Sequence, residues 1–191
     1  MKKSLLFYPL TFICSLLLTG TASATDPASP GWLPRTIDTA VNEVTTVARQ
    51  GTAEFYLPLH THHMRWAYTK EKIDSYQETP YGLGYGRGYL DTKGNWRGLY
   101  LMGFQDSHYK PQWLAGYGWK TYWHLSDALK LGLGYTAGMT TRSDIGHYFP
   151  MPLVLPIGSV EYRATALEAT YVPGGQGNGN ILFFWLKWHA G

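Results

Sequence analysis

After residue 24, the chain divides into eight segments of about ten residues in which large apolar side chains alternate with small or polar ones. The segments cover roughly residues 56–68, 81–91, 96–106, 112–123, 129–141, 152–162, 164–172 and 180–189. Residues 131–140, "LGLGYTAGMT", place leucine, tyrosine, alanine and methionine at odd positions and glycine or threonine at even ones. Successive side chains of a β-strand point to opposite faces, so this alternation predicts eight strands, each with one bulky face.

Tryptophan and tyrosine recur near the ends of these segments, at Trp66, Tyr68, Tyr81, Tyr89, Trp96, Trp113, Trp123, Trp185 and Trp188. Both residue types collect at membrane interfaces, and outer-membrane barrels have an even number of antiparallel strands. Barrel closure also leaves no strand edge exposed. We therefore predict an all-β protein, an eight-stranded antiparallel transmembrane β-barrel in the cell outer membrane. The alternative is a soluble eight-stranded barrel or sandwich.

The connections between segments predict which end of the barrel faces outward. Residues 69–80 and 142–150 are long and polar, whereas "DTKGNW" after the second segment is a tight turn. Short turns of outer-membrane barrels face the periplasm and long loops face outside. The first, third, fifth and seventh strands are then expected to run outward.

The N-terminus has the pattern of an export signal. Lys2 and Lys3 precede an apolar run over residues 5–18, and Ala22 and Ala24 form a small-residue cleavage pattern. We predict a removed signal peptide over residues 1–24, and a retained membrane anchor is the alternative. The run is shorter than the roughly 20 residues that a spanning helix needs.

Two consequences follow from removing that segment. The only cysteine, Cys14, lies inside it, so the mature chain has no disulfide and depends on its own hydrogen-bonded architecture. The formal charge falls from +3 to +1 when Lys2 and Lys3 leave (3 minus 2). This balance lacks the basic surface that nucleic-acid binding needs, so we expect no nucleic-acid partner. We further expect a monomeric protein.

Residues 25–52 are predicted to contain an amphipathic helix ahead of the barrel, which we assign to residues 53–191. Ile37, Val41, Val44 and Ala48 recur at helical intervals, and Gly51 follows as a stop signal. A helix of this kind can lie on the inner membrane surface. The alternative is a linker with some helical propensity.

The inner face of the predicted barrel is rich in glycine. In "YGLGYGRGYL", residues 82, 84, 86 and 88 are glycines, and Gly116 and Gly118 continue the pattern in the fourth segment. The eighth segment, "ILFFWLKW", is apolar on both faces. A bare, apolar interior predicts a space that holds an acyl chain, although glycines also ease curvature and aromatic packing. Arg87 falls on the lipid-facing side, so it is expected near an interface.

Prolines flank several segments, at Pro58, Pro80, Pro150, Pro152, Pro156 and Pro173. Proline cannot donate a ladder hydrogen bond, so these positions predict interruptions of strand pairing. Such interruptions mark either ordinary strand ends or a gap in the wall through which a lipid enters.

Three polar residues are expected to converge at the outer end. His63 lies well up the first strand, and Asp106 with Ser107 ends the third strand. A histidine, a carboxylate and a hydroxyl above an acyl-sized space suggest acyl transfer. The histidine would be the base, and either the serine or a substrate hydroxyl would be the nucleophile.

Stretches along nearly the whole mature chain resemble the lipid A palmitoyltransferase (PagP) family. They are "YLPLHTHHMRWAYTKEKIDSYQETPYG", "KGNWRGLYLMGFQDS", "AGYGW", "LGLGYTAG", "PLVLPIGSV" and "TYVPG" with "NGN". The resemblance implies an outer-membrane barrel that moves a palmitoyl chain from the sn-1 position of a phospholipid to a hydroxyacyl chain of lipid A. It implies a phospholipid donor and a lipid A acceptor as partners, and neither a cofactor nor a metal.

The resemblance also implies roles for individual residues. The family histidine falls on His63, and the family aspartate and serine fall on Asp106 and Ser107. The floor of the acyl-chain pocket falls on Gly118, and Met102 is assigned to the same pocket. The residues matching the prolines of the wall gaps are Pro58, Pro80 and Pro173.

The chain departs from the family pattern at three places. His62 replaces a tryptophan, the loop "SHYKPQW" differs, and the chain ends in "WLKWHAG" where a terminal aromatic is common. A non-catalytic outer-membrane barrel that binds lipid or strengthens the envelope is the competing hypothesis.

Overall fold

A computed structural model describes residues 32–144 and 146–190, with side chains from residue 37 onward. The predicted signal peptide lies outside these residues, and the predicted division at residues 24 and 52 stays a prediction. By its contacts the chain forms one unit of Met1–Ile37 and a second of Asp38–Gly191, which holds the whole barrel. In the described part of the chain, no helix combines the length and apolar character needed to cross a bilayer.

The second unit is built from eight strands. The elements are helix α1 (Trp32–Gln50), strand β1 (Thr52–His63), helix α2 (Lys70–Asp74), strands β2 (Gly82–Leu90), β3 (Trp96–Gln105), β4 (Pro111–His124) and β5 (Leu129–Thr141), a 3₁₀ turn (Gly146–Tyr148), and strands β6 (Met151–Tyr162), β7 (Thr165–Val172) and β8 (Ile181–Ala190). Each strand pairs antiparallel with the next, and β8 pairs with β1 to close the barrel. The predicted eight-stranded barrel is confirmed.

The two ends of the barrel carry different connections. We call the end with loops 64–81, 106–110, 142–150 and 173–180 the upper end, and the end with helix α1 and turns 91–95, 125–128 and 163–164 the lower end. All long connections are therefore on one side, as the loop lengths predict.

Strand β1 differs from its predicted range of 56–68. It begins earlier, at Thr52, and its pairing with β8 shifts register between Pro58 and His60. The shift matters for function because Tyr56 and His63 are seven residues apart and would face opposite sides of a regular strand. With the bulge, both are buried inside the barrel.

Helix α1 is confirmed, and its end is fixed by hydrogen bonds. The Gly51 amide donates to the Val47 carbonyl at 2.9 Å. The guanidinium of Arg87 then donates to the Gly51 carbonyl at 2.8 Å, so Arg87 lies near the lower end of the barrel, as expected for a cation on the outer face. Val47 is fully buried, whereas Val41 and Val44 are exposed.

The lower third of the barrel interior contains buried charges. We call them the lower cluster, and its members are Glu54, Lys120, Glu161, Glu168 and Lys187. Lys120 Nζ donates to Glu161 at 2.6 Å and also contacts Glu168 closely. Lys187 Nζ lies 3.1 Å from Glu168. The expectation of an apolar interior is therefore wrong at this end.

Aromatic residues cover the lower cluster from above. The Trp96 indole N–H donates to Glu54 at 2.8 Å, and that of Trp185 donates to Glu168 at 2.8 Å. Lys187 Nζ lies 4.0 Å from the centre of the Trp96 ring, a cation–π contact. The buried charges are thus ion-paired and covered by aromatic rings, although Lys187 Nζ and Glu161 Oε2 contact opposite charges without a described hydrogen bond.

An apolar layer lies between this cluster and the upper end. Its buried members are Tyr56, Tyr100, Met102, Leu114, Ile157, Phe183 and Trp185. Three of these side chains, Tyr56, Tyr100 and Met102, occupy the room that the inward glycines provide. A Cβ on Gly86 would stand 2.9 Å from the Tyr56 ring, and one on Gly84 would overlap Met102. At these two positions the glycines make room for protein side chains, as the aromatic-packing alternative predicts.

Candidate active site

The upper end brings two of the predicted catalytic residues into contact. His63 is the last residue of β1 and is buried, and Ser107 follows the end of β3 by two residues. Ser107 Oγ lies 3.2 Å from His63 Nε2, within hydrogen-bond distance. A hydroxyl and an imidazole so placed can exchange a proton.

Asp106 holds the turn that presents Ser107. Its Oδ1 accepts hydrogen bonds from the backbone amides of His108 at 2.8 Å and Lys110 at 2.9 Å. The turn is tight, with Tyr109 in the left-handed region at φ 62°. The second carboxylate oxygen, Oδ2, is buried and has no hydrogen-bond partner among the described residues. It lies 3.9 Å from His108 Nδ1.

The carboxylate that contacts His63 is Glu78, which the sequence analysis did not single out. Glu78 Oε1 lies 3.0 Å from His63 Nδ1 and accepts the His63 backbone amide at 3.1 Å. Arg65 donates to both Glu78 oxygens, at 3.1 and 2.8 Å. Burial raises the pKa of Glu78, but the hydrogen bonds from Arg65 and His63 outweigh it and lower this pKa to about 2.

Two tyrosines from the loop after β1 pack around the imidazole. The Tyr76 ring centre is 4.6 Å from that of His63, and the Tyr68 ring meets His63 edge-on at 5.1 Å. Tyr76 also contacts His108 at 5.0 Å, which joins this loop to the turn of Ser107. Apolar ring faces on two sides shield His63 from water.

The barrel wall is interrupted at two places. Pairing of β1 with β2 ends at Tyr56 and Gly84, although β1 continues to His63. Pairing of β6 with β7 begins only at Ile157 and Thr170, although β6 starts at Met151. Pro58 and Pro80 flank the first gap, and Pro156 and Pro173 flank the second. The predicted interruptions of pairing are therefore present.

The two residues assigned to the acyl pocket lie at different depths. Met102 is buried in the apolar layer. A Cβ on Gly118 would stand 2.6 Å from the Trp96 ring, so Gly118 lies where the apolar layer meets the lower cluster.

One group of side chains has the composition of a metal site. Ligand atoms of His60, His62 and Glu78 all lie within 4.8 Å of one another. Both oxygens of Glu78 already accept hydrogen bonds from Arg65, and one also accepts from His63. The carboxylate is therefore committed to its protein partners, and the group offers chiefly its two imidazoles.

A closed eight-stranded barrel with a histidine–serine contact at one end has the arrangement of a barrel enzyme that transfers acyl groups. The family described as "Antimicrobial peptide resistance and lipid A acylation protein PagP" matches residues 43–187. The chain is similar to "Lipid A acyltransferase PagP" of Laribacter hongkongensis, with 50% identity over 83% of this chain and 75% of the relative.

Two further relatives carry the same name. The protein of Methylobacillus flagellatus is 48% identical over 79% of this chain and 82% of its own length. That of Cronobacter sakazakii is 43% identical over 93% of each chain. The chain belongs to the PagP family.

Proposed function

We propose that the protein is a lipid A acyltransferase of the outer membrane. It moves a palmitoyl chain from the sn-1 position of a phospholipid to a hydroxyacyl chain of lipid A. The observation that carries this proposal is the 3.2 Å contact between Ser107 and His63, placed above an apolar layer inside a barrel. The relatives' printed names support lipid A as the acceptor.

The outer surface of the barrel supports a membrane location. Large apolar side chains project from its middle, among them Leu83, Leu101, Leu133 and Val154, which are 50% exposed or more. A band of this kind is unfavourable in water and favourable in lipid. The loops at the upper end then face outside, so the site lies at the outer leaflet, where lipid A resides.

His63 drives the chemical step as a general base and then as a general acid. Its Nε2 takes the proton of an attacking hydroxyl, and that oxygen forms a bond to the carbonyl carbon of the donor ester. The ester C–O bond breaks, and His63 returns the proton to the departing glycerol oxygen. The products are an acylated hydroxyl and a lysophospholipid, so atoms and charges balance.

The first attacking hydroxyl is either that of Ser107 or that of lipid A. Ser107 Oγ is the group in contact with His63, which favours an acyl-serine intermediate. The mass of the intact protein after incubation with donor phospholipid alone distinguishes the two. A gain of one palmitoyl unit, absent in Ser107→Ala, identifies the serine as nucleophile, and an unchanged mass identifies the lipid A hydroxyl.

Asp106 contributes through its free oxygen. Oδ2 is buried beside the histidine–serine pair and lacks a described protein donor, so it can accept a hydrogen bond from the acceptor hydroxyl. A buried carboxylate oxygen gains most from such a bond, because it has already lost its hydration.

The donor acyl chain occupies the barrel interior beneath the site. It enters through the wall gaps flanked by Pro58, Pro80 and Pro173, and it runs past Met102 toward Gly118. The lower cluster ends its path, since inserting an apolar chain among buried ion pairs would strip them of their partners.

The proposal is tested by mass spectrometry of lipid A from cells with and without the protein. We expect a gain of one palmitoyl unit that is lost in His63→Asn and kept in His124→Asn, an exposed histidine at the lower end. If lipid A keeps its mass although the barrel is folded and inserted, the lipid-binding or structural hypothesis replaces this one.

A further inference from the structure

We propose that Glu78 is the residue that positions His63 for catalysis, an inference that rests on the proposed acyl transfer. The structure holds an unbroken chain of contacts from the serine hydroxyl through the imidazole to a carboxylate. Ser107 Oγ is 3.2 Å from His63 Nε2, and His63 Nδ1 is 3.0 Å from Glu78 Oε1.

The contact with Glu78 selects one tautomer of His63. An ionised carboxylate only accepts hydrogen bonds, so Nδ1 must carry the proton that faces it. The neutral imidazole then presents an unprotonated Nε2 to Ser107, which is the form that a general base requires. When Nε2 takes the proton, the carboxylate also stabilises the positive charge of the imidazolium.

Glu78 is itself held rigidly in place. The Arg65 guanidinium donates a hydrogen bond to each carboxylate oxygen, and the backbone amide of His63 donates to one of them. The Glu78 carbonyl accepts the Thr61 amide at 2.8 Å, on the edge of β1 that β2 no longer covers. The residue is thus held by main chain and side chain together at the upper edge of the wall gap, and a carboxylate held in this way can keep an imidazole in position.

Asp106 does not take this role in the structure. Its hydrogen bonds run to the turn of His108 and Lys110. The other charged or titratable groups around His63 are Arg65 and the flanking His62 on its own side, Tyr68 and Tyr76 from the loop, and His108 behind Tyr76. Among these described neighbours, Glu78 is the carboxylate with a direct contact to the ring.

The first test is kinetic and uses Glu78→Gln, which keeps the shape of the side chain and removes its charge. We expect the maximal rate to fall about 100-fold or more, with little change in KM. We also expect the acid limb of the pH–rate profile to move to lower pH, because an imidazolium is less favourable without its carboxylate. Glu78→Asp, which keeps the charge on a shorter stem, should restore part of the rate.

Two controls isolate this effect. Asp74→Asn removes another carboxylate of the same loop, one that is exposed and ion-paired to Lys70, and it should leave rate and profile unchanged. Assays contain a chelator so that no metal bound at His60 and His62 contributes.

If Glu78→Gln prevents folding, Arg65→Met serves instead, because Arg65 is half exposed and its loss frees Glu78 without removing it.

The second test observes the tautomer directly, by ¹⁵N NMR of the histidine rings in detergent. The His63 signals are assigned by their absence from His63→Asn. We expect the tautomer protonated at Nδ1 in the natural protein and a mixture in Glu78→Gln. The inference would be overturned if, in Glu78→Gln, both the ratio of the two His63 tautomers and the rate stay within threefold of the values for the natural protein.

The two proposals can fail separately. A tautomer that depends on Glu78 in a protein that leaves lipid A unchanged supports the positioning role and contradicts acyl transfer. A mass gain on lipid A that is insensitive to Glu78→Gln supports acyl transfer and contradicts the positioning role.

Discussion

The two ends of the barrel interior both contain carboxylates bound to cations, but they differ in how far these groups are exposed to solvent. In the lower cluster, all five charged side chains are at most 1% exposed and face one another. At the upper end, Arg65 is half exposed and Glu78 is 19% exposed. A fully buried network of charges is inaccessible to a substrate and contributes to the fold, whereas a network that is partly open to solvent can still bind and react.

The aromatic residues at each end reinforce this difference. Trp96 lies over the lysines of the lower cluster and donates to Glu54, so it closes that end. Tyr68 and Tyr76 flank His63 but leave the side facing Ser107 open. Substitutions at the two ends should therefore separate stability from activity.

The largest expected effect is on stability, in the lower cluster. Lys120→Met removes a buried cation and leaves Glu161 and Glu168 undercompensated, so the free energy of unfolding should fall by about 3–5 kcal/mol. Urea unfolding in detergent measures this. Lys93→Met, at an exposed lysine, should change it by less than about 0.5 kcal/mol. Equal effects of the two substitutions would show that the cluster is not a source of stability.

The reverse result is expected at the upper end. Ser107→Ala should lower the rate of acyl transfer about 100-fold, equivalent to about 2.7 kcal/mol in the activation barrier. The free energy of unfolding should change by less than about 0.5 kcal/mol. Ser75→Ala, in the loop after β1, should change neither quantity. A large loss of stability in Ser107→Ala would contradict the view that the upper end serves activity and contributes little to stability.

Acid should distinguish natural Glu78 from its neutral variant. The lowered pKa of Glu78 means that its ionised form adds stability, about 1–2 kcal/mol, above the unfolded-state pKa. This contribution is lost as pH falls from about 4.5 toward 2, so the stability gap between the natural protein and Glu78→Gln should close over that range. Unfolding curves at several pH values measure the gap. A gap that is constant with pH contradicts the paired carboxylate.

The smallest effect is expected where the two halves of the interior meet. Gly118→Ala places a methyl group 2.6 Å from the Trp96 ring, too close for both groups to keep their positions, and should shorten the accepted acyl chain. Each excluded methylene changes the preference by about 0.8 kcal/mol, or about fourfold. Competition between donors of different chain length measures this. Gly158→Ala, where a Cβ meets only a carbonyl oxygen at 4.0 Å, is the control. An unchanged preference would remove Gly118 from the pocket.

Much of the barrel could be predicted because alternation and turn residues act locally. The segment predicted over 129–141 matches β5 at both ends, and the other strands after β1 differ by one residue at most. β1 itself was misplaced, since the bulge near Pro58 and the turn that follows His63 break the alternation on which the prediction depends.

The lower cluster could not be predicted in the same way. Each of its five members comes from a different strand, from β1, β4, β6, β7 and β8, so no single strand shows a pattern of charges. Only the stagger of the closed barrel brings Glu54, Lys120 and Glu168 to one level, and stagger is a property of the whole sheet.

The site was partly predictable for a related reason. His63 lies at the outward end of β1 and Ser107 just past that of β3, with only β2 between the two strands, so strand direction predicts that both residues lie at the same end of the barrel. Glu78 lies in loop 64–81, where no periodicity assigns a face to a side chain. The pairing of Glu78 with His63 is therefore visible only in the three-dimensional structure.

The seam between β1 and β8 links the lower cluster to barrel assembly. Glu54 comes from the first strand and Lys187 from the last, 3.7 Å apart, and His189 lies 2.8 Å from Glu54. Until these two strands meet, Glu54 lacks its two cationic neighbours, Lys187 and His189, in a surrounding that penalises an unpaired charge. The closure of the sheet and the neutralisation of its interior charges are consequently a single event. A barrel closed in the wrong register would keep unpaired charges in its interior and would be less stable.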